Sequence, residues 1–427
     1  MNLKKIFLAL LLIASSNVKA DFNIVYDAET QDVVSQIAAP IFKAAKLKRP
    51  EIYIIQDSSP NAFTMGGEVL YINTGLIAEF TDPNILRGVI AHEVGHISAR
   101  HVSRMQMKAM DQRKLAASSL ILGLVGAALT GSPELAIHGA LVGSHVAERS
   151  MLKFSRENET SADLKAQIYL EQSGYNSQGL VTLLEHFGKL QRIPLEARYD
   201  ITHPISSERI SLIKAKKSNF NKFTENAQLK KNYELVSAKI SAFTLKTFNR
   251  NKYSGDALKY ADSIVALKRS DKTSSLRNID ALLSANPRNP YFYQLKGEIL
   301  SAFGDMKALD SYSKAVSIYN NELIKIEFSI AKIRLSNDKT LIKSAISNLE
   351  LSSPKLLYNN GVLDYLATGY DKLGNTAYSQ YYRALAQKNK GNLKLAKKIA
   401  KQAKINLPQG SPLFLKINDI IDTEEEK

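Results

Sequence analysis

Apolar residues recur along most of this chain at the three-and-four spacing of helices. Val33, Val34, Ile37, Ala38, Ile41 and Ala44 form one such face and predict a helix over residues 30–46. Two short runs break the pattern. Ile52-Tyr53-Ile54-Ile55 and Val69-Leu70-Tyr71-Ile72 are apolar and β-branched, and the second lies between Gly66-Gly67 and Asn73-Thr74-Gly75, so both read as strands. A further helix starts at Pro83, capped by Thr81 or Asp82, with Leu86, Val89, Ile90, Val94 and Ile97 along one face. From there on almost every periodic segment is helical. The expected fold class is α+β, mostly α: a small sheet with helices at one side, then a long all-α half.

The second half has a period. After Gly391 come Ala396, Ala400, Ala403 and Pro408: small residues that let two helices approach, then a proline that stops the second. Ala384 fits the small position of the preceding helix, and Tyr293, Gly297, Leu300, Gly304, Ala308, Tyr312 and Ala315 form an earlier, imperfect copy. The pattern resembles tetratricopeptide (TPR) repeats, the alternative being helical hairpins of no repeat lineage. At the other end, Lys4 and Lys5 precede an apolar run from Ile6 to Ala14, and Val18-Lys19-Ala20 offers small residues for cleavage. This reads as a secretory signal peptide, the apolar run being shorter than the ~20 residues that span a bilayer. The expected division is residues 1–20 as signal peptide, 21–225 as a first domain, 226–420 as a TPR-like repeat domain and 421–427 as an acidic tail.

Composition narrows the chemistry. The 427 residues include no Cys, which excludes disulfides, Cys-ligated metals and a thiol nucleophile. The formal charge is +16, from 57 Lys and Arg against 41 Asp and Glu, and by itself it does not choose between anionic membranes, acidic partners and nucleic acid. His92-Glu93-Val94-Gly95-His96 is more specific. Histidines four apart on a helix share a face and can reach one metal ion, with Glu93 beside them as a proton acceptor for water. A catalytic zinc needs a third protein ligand. Glu159 and Asp163, again four apart, supply a candidate ligand and a carboxylate that accepts a hydrogen bond from a ligating histidine.

In chain order, Asn61-Ala62-Phe63, Gly66-Gly67, Thr74-Gly75-Leu76, His92 to His96, Glu159-x-x-Ala162-Asp163 and Thr202-His203-Pro204 with Arg209 resemble the HtpX-like zinc metallopeptidases. The likeness covers residues 25–215 in sequence and the repeat half only in architecture; it is strongest to periplasmic members bearing a TPR-like C-terminal domain. It implies a zincin-like first domain that hydrolyses internal peptide bonds, with one Zn2+ per chain on His92, His96 and Glu159 and with Glu93 as general base. It gives His203 two possible roles: a fourth ligand from a loop over the zinc, which would close the resting site, or a contact to the tetrahedral intermediate. Read from the residues alone, Thr202-His203-Pro204 is simply a turn before a helix. Arg209 either pairs with a site carboxylate or lies on the surface of the helix it opens. Gly66, Gly67, Val69 and Tyr71 would bind substrate if their strand were an exposed edge, and would not if it were interior. The implied partners are protein substrates and, through the repeats, the machinery assembling outer-membrane β-barrels, in a quality-control role.

Leu115 to Thr130 is apolar but short for a span, so it reads as a buried or membrane-touching hairpin, which leaves peripheral membrane contact open. His101, His138, His145 and His186 read as structural or surface residues. The lysines at 388, 390, 394, 397, 398, 401 and 404 carry no interleaved aromatics, so nucleic acid is not expected; a solvated face, an anionic lipid surface and an acidic partner remain. The rival to a periplasmic peptidase is a chaperone or adaptor that works through its repeats and carries a latent metal site.

Overall fold

The computed structural model describes residues 23–105, 107, 156–189, 203, 205–215, 226–405 and 407–423. Residues 1–20, Leu115–Thr130, His138, His145, Thr202, Pro204 and 424–427 lie outside them. The strands are β1 (Ile24–Val25), β2 (Glu51–Ile55), β3 (Ala62–Phe63) and β4 (Val69–Asn73), in the order β1-β2-β4-β3. β1 pairs antiparallel with β2, Ile24 opposite Ile55, and β3 antiparallel with β4, Ala62 opposite Ile72. β4 therefore has a strand on each side at Tyr71 and Ile72, where it is not the sheet edge that the edge-strand reading of residues 66–73 expects. The two-residue β3 is too short to leave a periodic signature, so the sequence did not show what covers that side of β4.

Contacts divide the chain into two units. One comprises Val33–Tyr53 and Asp57–Ser237, including most of α1 (Ala28–Ala44), with α2 (Thr74–Glu79), α3 (Pro83–Ser98), α4 (Arg156–Gln172), α5 (Gln178–Lys189) and α6 (Ser207–Ala215). α3 begins as its sequence dictates. The Asp82 side chain accepts a hydrogen bond from the Asn84 amide, and Pro83 takes the first helical position, where no amide is needed. Leu86, Val89, Ile90 and Val94 are buried, and α3 packs on α4, α5 and the sheet strands β3 and β4. Glycines set how close these helices come. A Cβ on Gly95 would lie 2.6 Å from the Ala162 carbonyl oxygen in α4, and one on Gly88 would lie 2.5 Å from the Leu180 amide nitrogen in α5.

The other unit holds the chain from Ala238 onward together with the described residues up to Asp32 and Ile54–Gln56. Its helices are the end of α7 (Ala227–Thr244), then α8 (Gly255–Lys268), α9 (Lys272–Ala285), α10 (Pro290–Ala302), α11 (Ala308–Ile318), α12 (Glu322–Leu335), α13 (Lys339–Glu350), α14 (Pro354–Leu357), α15 (Asn360–Lys372), α16 (Thr376–Asn389), α17 (Leu393–Lys404) and α18 (Pro412–Ile421). Neighbours pack as hairpins, α8 with α9, α10 with α11, α12 with α13 and α16 with α17. The small residues lie in these seams: Ala308, Ala315, Ala384, Ala396, Ala400 and Ala403 are buried, and a Cβ on Gly297 would lie 2.8 Å from the Tyr312 ring. Asn289, Asn321, Asp338 and Ser411 each cap the helix that follows.

Residues 23–32 are built into this helical unit by buried charge. Lys239 Nζ lies 2.6 Å from Asp27 Oδ2 and 3.2 Å from Glu29 Oε2, and Tyr260 donates to Glu29 Oε2 at 2.8 Å. Ala28 packs in one apolar cluster with Ala315 and Ile324. Burial opposes the charge on Lys239, but the two carboxylates outweigh it and hold the ammonium well above its usual pKa.

Candidate active site

His92 and His96 occupy successive turns of α3, and both are fully buried. α4 crosses α3 at Gly95 and brings Glu159 to them: His96 Nε2 lies 3.3 Å from Glu159 Oε1 and His92 Nε2 lies 3.5 Å from Oε2. His203 completes the group, its Nδ1 3.2 Å from His92 Nε2 and 3.3 Å from Glu159 Oε1. The two Nε2 atoms of His92 and His96 are 3.1 Å apart. All four donor atoms fall within 4.8 Å of one another.

These separations fit a metal better than they fit one another. Four donors about 2.0–2.1 Å from a tetrahedral zinc stand roughly 3.3 Å apart, and four of the separations here, 3.1, 3.2, 3.3 and 3.3 Å, come close to that within a group spread over no more than 4.8 Å. Charge agrees. The buried carboxyls of Glu93, Glu159 and Asp163 outnumber the Arg209 guanidinium that faces them, an excess that suits a bound cation. The donor set of imidazoles and one carboxylate is that of zinc.

The surrounding residues fix the ligands. Asp163 Oδ1 accepts from His92 Nδ1 at 2.9 Å, so the His92 Nε2 lone pair faces the cluster. Arg209 grips Asp163 through Nε at 2.7 Å and Nη2 at 3.0 Å, and reaches Glu159 Oε2 with Nη1 at 2.8 Å. The guanidinium is buried between these two carboxylates rather than displayed on the surface of α6. His96 has a partner the spacing did not reveal: His101 Nδ1 lies 3.0 Å from His96 Nδ1. With His96 Nε2 facing the cluster, His96 Nδ1 carries the hydrogen and donates it to His101. Five residues along a straight helix are about 140° off the starting face. The break at Ala99–Arg100, with Arg100 in the left-handed region at φ 52°, returns His101 to that face.

Titration follows burial and charge. Burial opposes protonation of His92, but Asp163 and Glu159 outweigh it and lift the ring to about 10. Burial pushes His96 down to about 3. Glu159 is held well below the usual carboxylate range: burial alone would raise it, and hydrogen bonds from His203, His92 and His96 more than offset that. Glu93 is raised, chiefly by burial. Both of its oxygens are buried and accept no hydrogen bond among the described residues, although His203 Nε2 stands 3.3 Å from Oε1.

Of the four expected substrate contacts, two lie in the turn between β3 and β4 and two in β4. Gly66 and Gly67 turn the chain with φ of 116° and 66°, Val69 opens β4, and Tyr71 stacks on Phe63 and Tyr53. None belongs to the four-donor cluster.

The profile of peptidase family M48 matches residues 26–217, a span that contains every residue of this cluster. The zinc-fitting donors thus all lie inside the stretch that resembles this family, which is somewhat less than half of the chain. Among relatives, the β-barrel assembly-enhancing protease of Escherichia coli K12 is 23% identical over 68% of this chain and 62% of its own length. The metalloprotease LoiP of the same organism is 29% identical over 39% of this chain and 62% of its own. The mitochondrial metalloendopeptidase OMA1 of Schizosaccharomyces pombe is 29% identical over 38% and 45%. The chain therefore spans about 62% of the length of the first of these relatives. The described residues hold no helix long and apolar enough to cross a membrane.

Proposed function

We propose that this chain is a zinc-dependent endopeptidase held in a closed resting state, with His92, His96 and Glu159 as metal ligands. Zinc bound there would polarise a scissile carbonyl and acidify an attacking water. Glu93 takes the proton of that water and delivers it to the departing amine nitrogen. Its burial and raised pKa suit a group that must accept a proton and then surrender it. Asp163 and Arg209 hold the ligands still, and His101 does so for His96. His203 sets the state of the site: Nδ1 takes the fourth corner and Nε2 stands against Glu93, so the segment carrying His203 must withdraw before a peptide can bind.

The observation that carries this reading is Glu93. A four-donor site serving only structure has no use for an additional fully buried carboxylate beside the donors, one that accepts no hydrogen bond from the described residues. That weighs against the adaptor with a latent metal site. By likeness to the relatives named β-barrel assembly-enhancing protease, the proposed setting is the periplasm, reached by cleavage after Ala20, and the proposed substrates are envelope proteins stalled in outer-membrane assembly. Residues 226–420 would recruit partners as a TPR-like domain.

The test combines metal analysis with cleavage of a labelled unfolded protein. The wild type and Glu93→Gln should each hold about one zinc per chain, with cleavage at least ~100-fold lower in Glu93→Gln. His203→Ala should cleave faster than the wild type. Wild-type cleavage rates in Glu93→Gln, or a metal-free wild type, would refute the proposal.

A further inference from the structure

We infer that the exposed face of α17 docks on an anionic lipid surface. Between Asp371 and Asp419 the chain contains no Asp or Glu and ten Lys or Arg, so this stretch supplies ten of the sixteen net positive charges. Elsewhere the two signs are nearly balanced. Net charge in this protein is therefore a local property, concentrated where α16, α17 and the start of α18 pack together.

α17 displays it. Ala396, Ala400 and Ala403 are buried on the inner face, and Lys394, Lys398 and Lys401 recur at the helical repeat on the opposite face, all exposed, with half-buried Lys397 at the side. None of these four lysines meets a carboxylate among the described residues, whereas Lys404 is taken up over the Phe414 ring at 4.3 Å. On the adjoining α16, Arg383 is paired with Asp371 and Lys388 donates to the Thr423 hydroxyl, so the unpaired row is that of α17. Like charges at this spacing weaken an isolated helix, an effect that an anionic surface reverses.

Two apolar side chains stand among the lysines. Ile405 follows Lys401 on the same line and is 75% exposed, and Leu395 on the flank is 45% exposed. A row of flexible ammonium groups around a protruding aliphatic side chain suits lipid headgroups, which neutralise point charges without demanding fixed geometry. An acidic protein would instead be read by directional pairs, for which guanidinium is the better donor.

The experiment is co-sedimentation of the full chain with phosphatidylcholine vesicles, with and without phosphatidylglycerol. Binding should require phosphatidylglycerol and fall as salt is raised. Each lysine near an anionic surface is worth about fivefold in partitioning, so the triple change Lys394→Gln, Lys398→Gln, Lys401→Gln should lower binding roughly 100-fold. The corresponding triple Lys→Arg variant should bind like the wild type, which separates lost charge from lost fold. Ile405→Ser should weaken binding and leave its salt dependence intact. The proposal is overturned if the wild type ignores phosphatidylglycerol, or if the Lys→Gln triple binds within about twofold of the wild type.

Discussion

Gly95 lies between His92 and His96, and its missing side chain is what lets α4 bring Glu159 to them. An alanine there would place Cβ 2.6 Å from the Ala162 carbonyl oxygen and 3.0 Å from the Ala162 Cα. Ordinary contact begins near 3.4 Å, so α3 and α4 must separate by about 0.8 Å at this crossing, with backbone on both sides and no flexible end to yield. Glu159 lies one turn before Ala162 and moves with it. Metal sites tolerate ligand displacements of only about 0.2 Å. Gly95→Ala should therefore weaken zinc binding by at least about tenfold. Overpacking costs ~1–3 kcal/mol, but alanine favours the helix over glycine by ~1 kcal/mol. The melting temperature should consequently fall less than the metal affinity does. Competition with a chromogenic chelator, run beside thermal unfolding, separates the two. A Gly95→Ala chain that holds zinc as tightly as the wild type would show that the helices are not locked at this distance.

Two other changes probe different parts of the molecule. His101→Phe keeps a ring beside His96 and removes the nitrogen that accepts its hydrogen, so zinc affinity should drop about 10–100-fold with the fold retained; unchanged affinity in the chelator assay would leave His101 a packing residue. Glu298 faces Lys239, Asp27 and Arg334 in the helical unit, and burial lifts its carboxyl to about 7 from an ordinary 4.5. The folded protein binds that proton more tightly than the unfolded chain does, so its contribution is favourable below about pH 4.5 and is lost as pH rises through 7. At ~1.4 kcal/mol per pKa unit, Glu298→Gln should be more stable than the wild type by up to ~3 kcal/mol at pH 8 and equal to it at pH 4. Melting curves across that range decide it, and a pH-independent difference would contradict the assignment.

Much of the site could be picked out in the sequence because its parts are local. His92, Glu93 and His96 share one helix, and the relation of Glu159 to Asp163 is a single turn. What spacing could not reveal depends on a second element. Gly88 and Gly95 look like poor helix residues until α5 and α4 are placed against them. His101 is off the ligand face of any straight helix and returns only through the turn at Arg100. β1 and β3, two residues each, are too short for a period, so the interior position of β4 could not be read. Pairing of Lys239 with Asp27, 212 residues apart, leaves no local trace.

That last pairing bears on how the protein can be cut. A boundary near residue 225 suggests expressing residues 226–427 alone. Such a fragment would keep Lys239 and discard Asp27 and Glu29, leaving a desolvated ammonium with neither counter-ion and a vacant seat where Ala28 meets Ala315 and Ile324. Losing one partner of a buried ion pair costs ~3–5 kcal/mol, enough to make a recombinant half-protein insoluble for reasons unrelated to its own sequence. A fragment that carries residues 23–32 on a linker, or receives them as a synthetic peptide, is the form in which the helical unit should be purified.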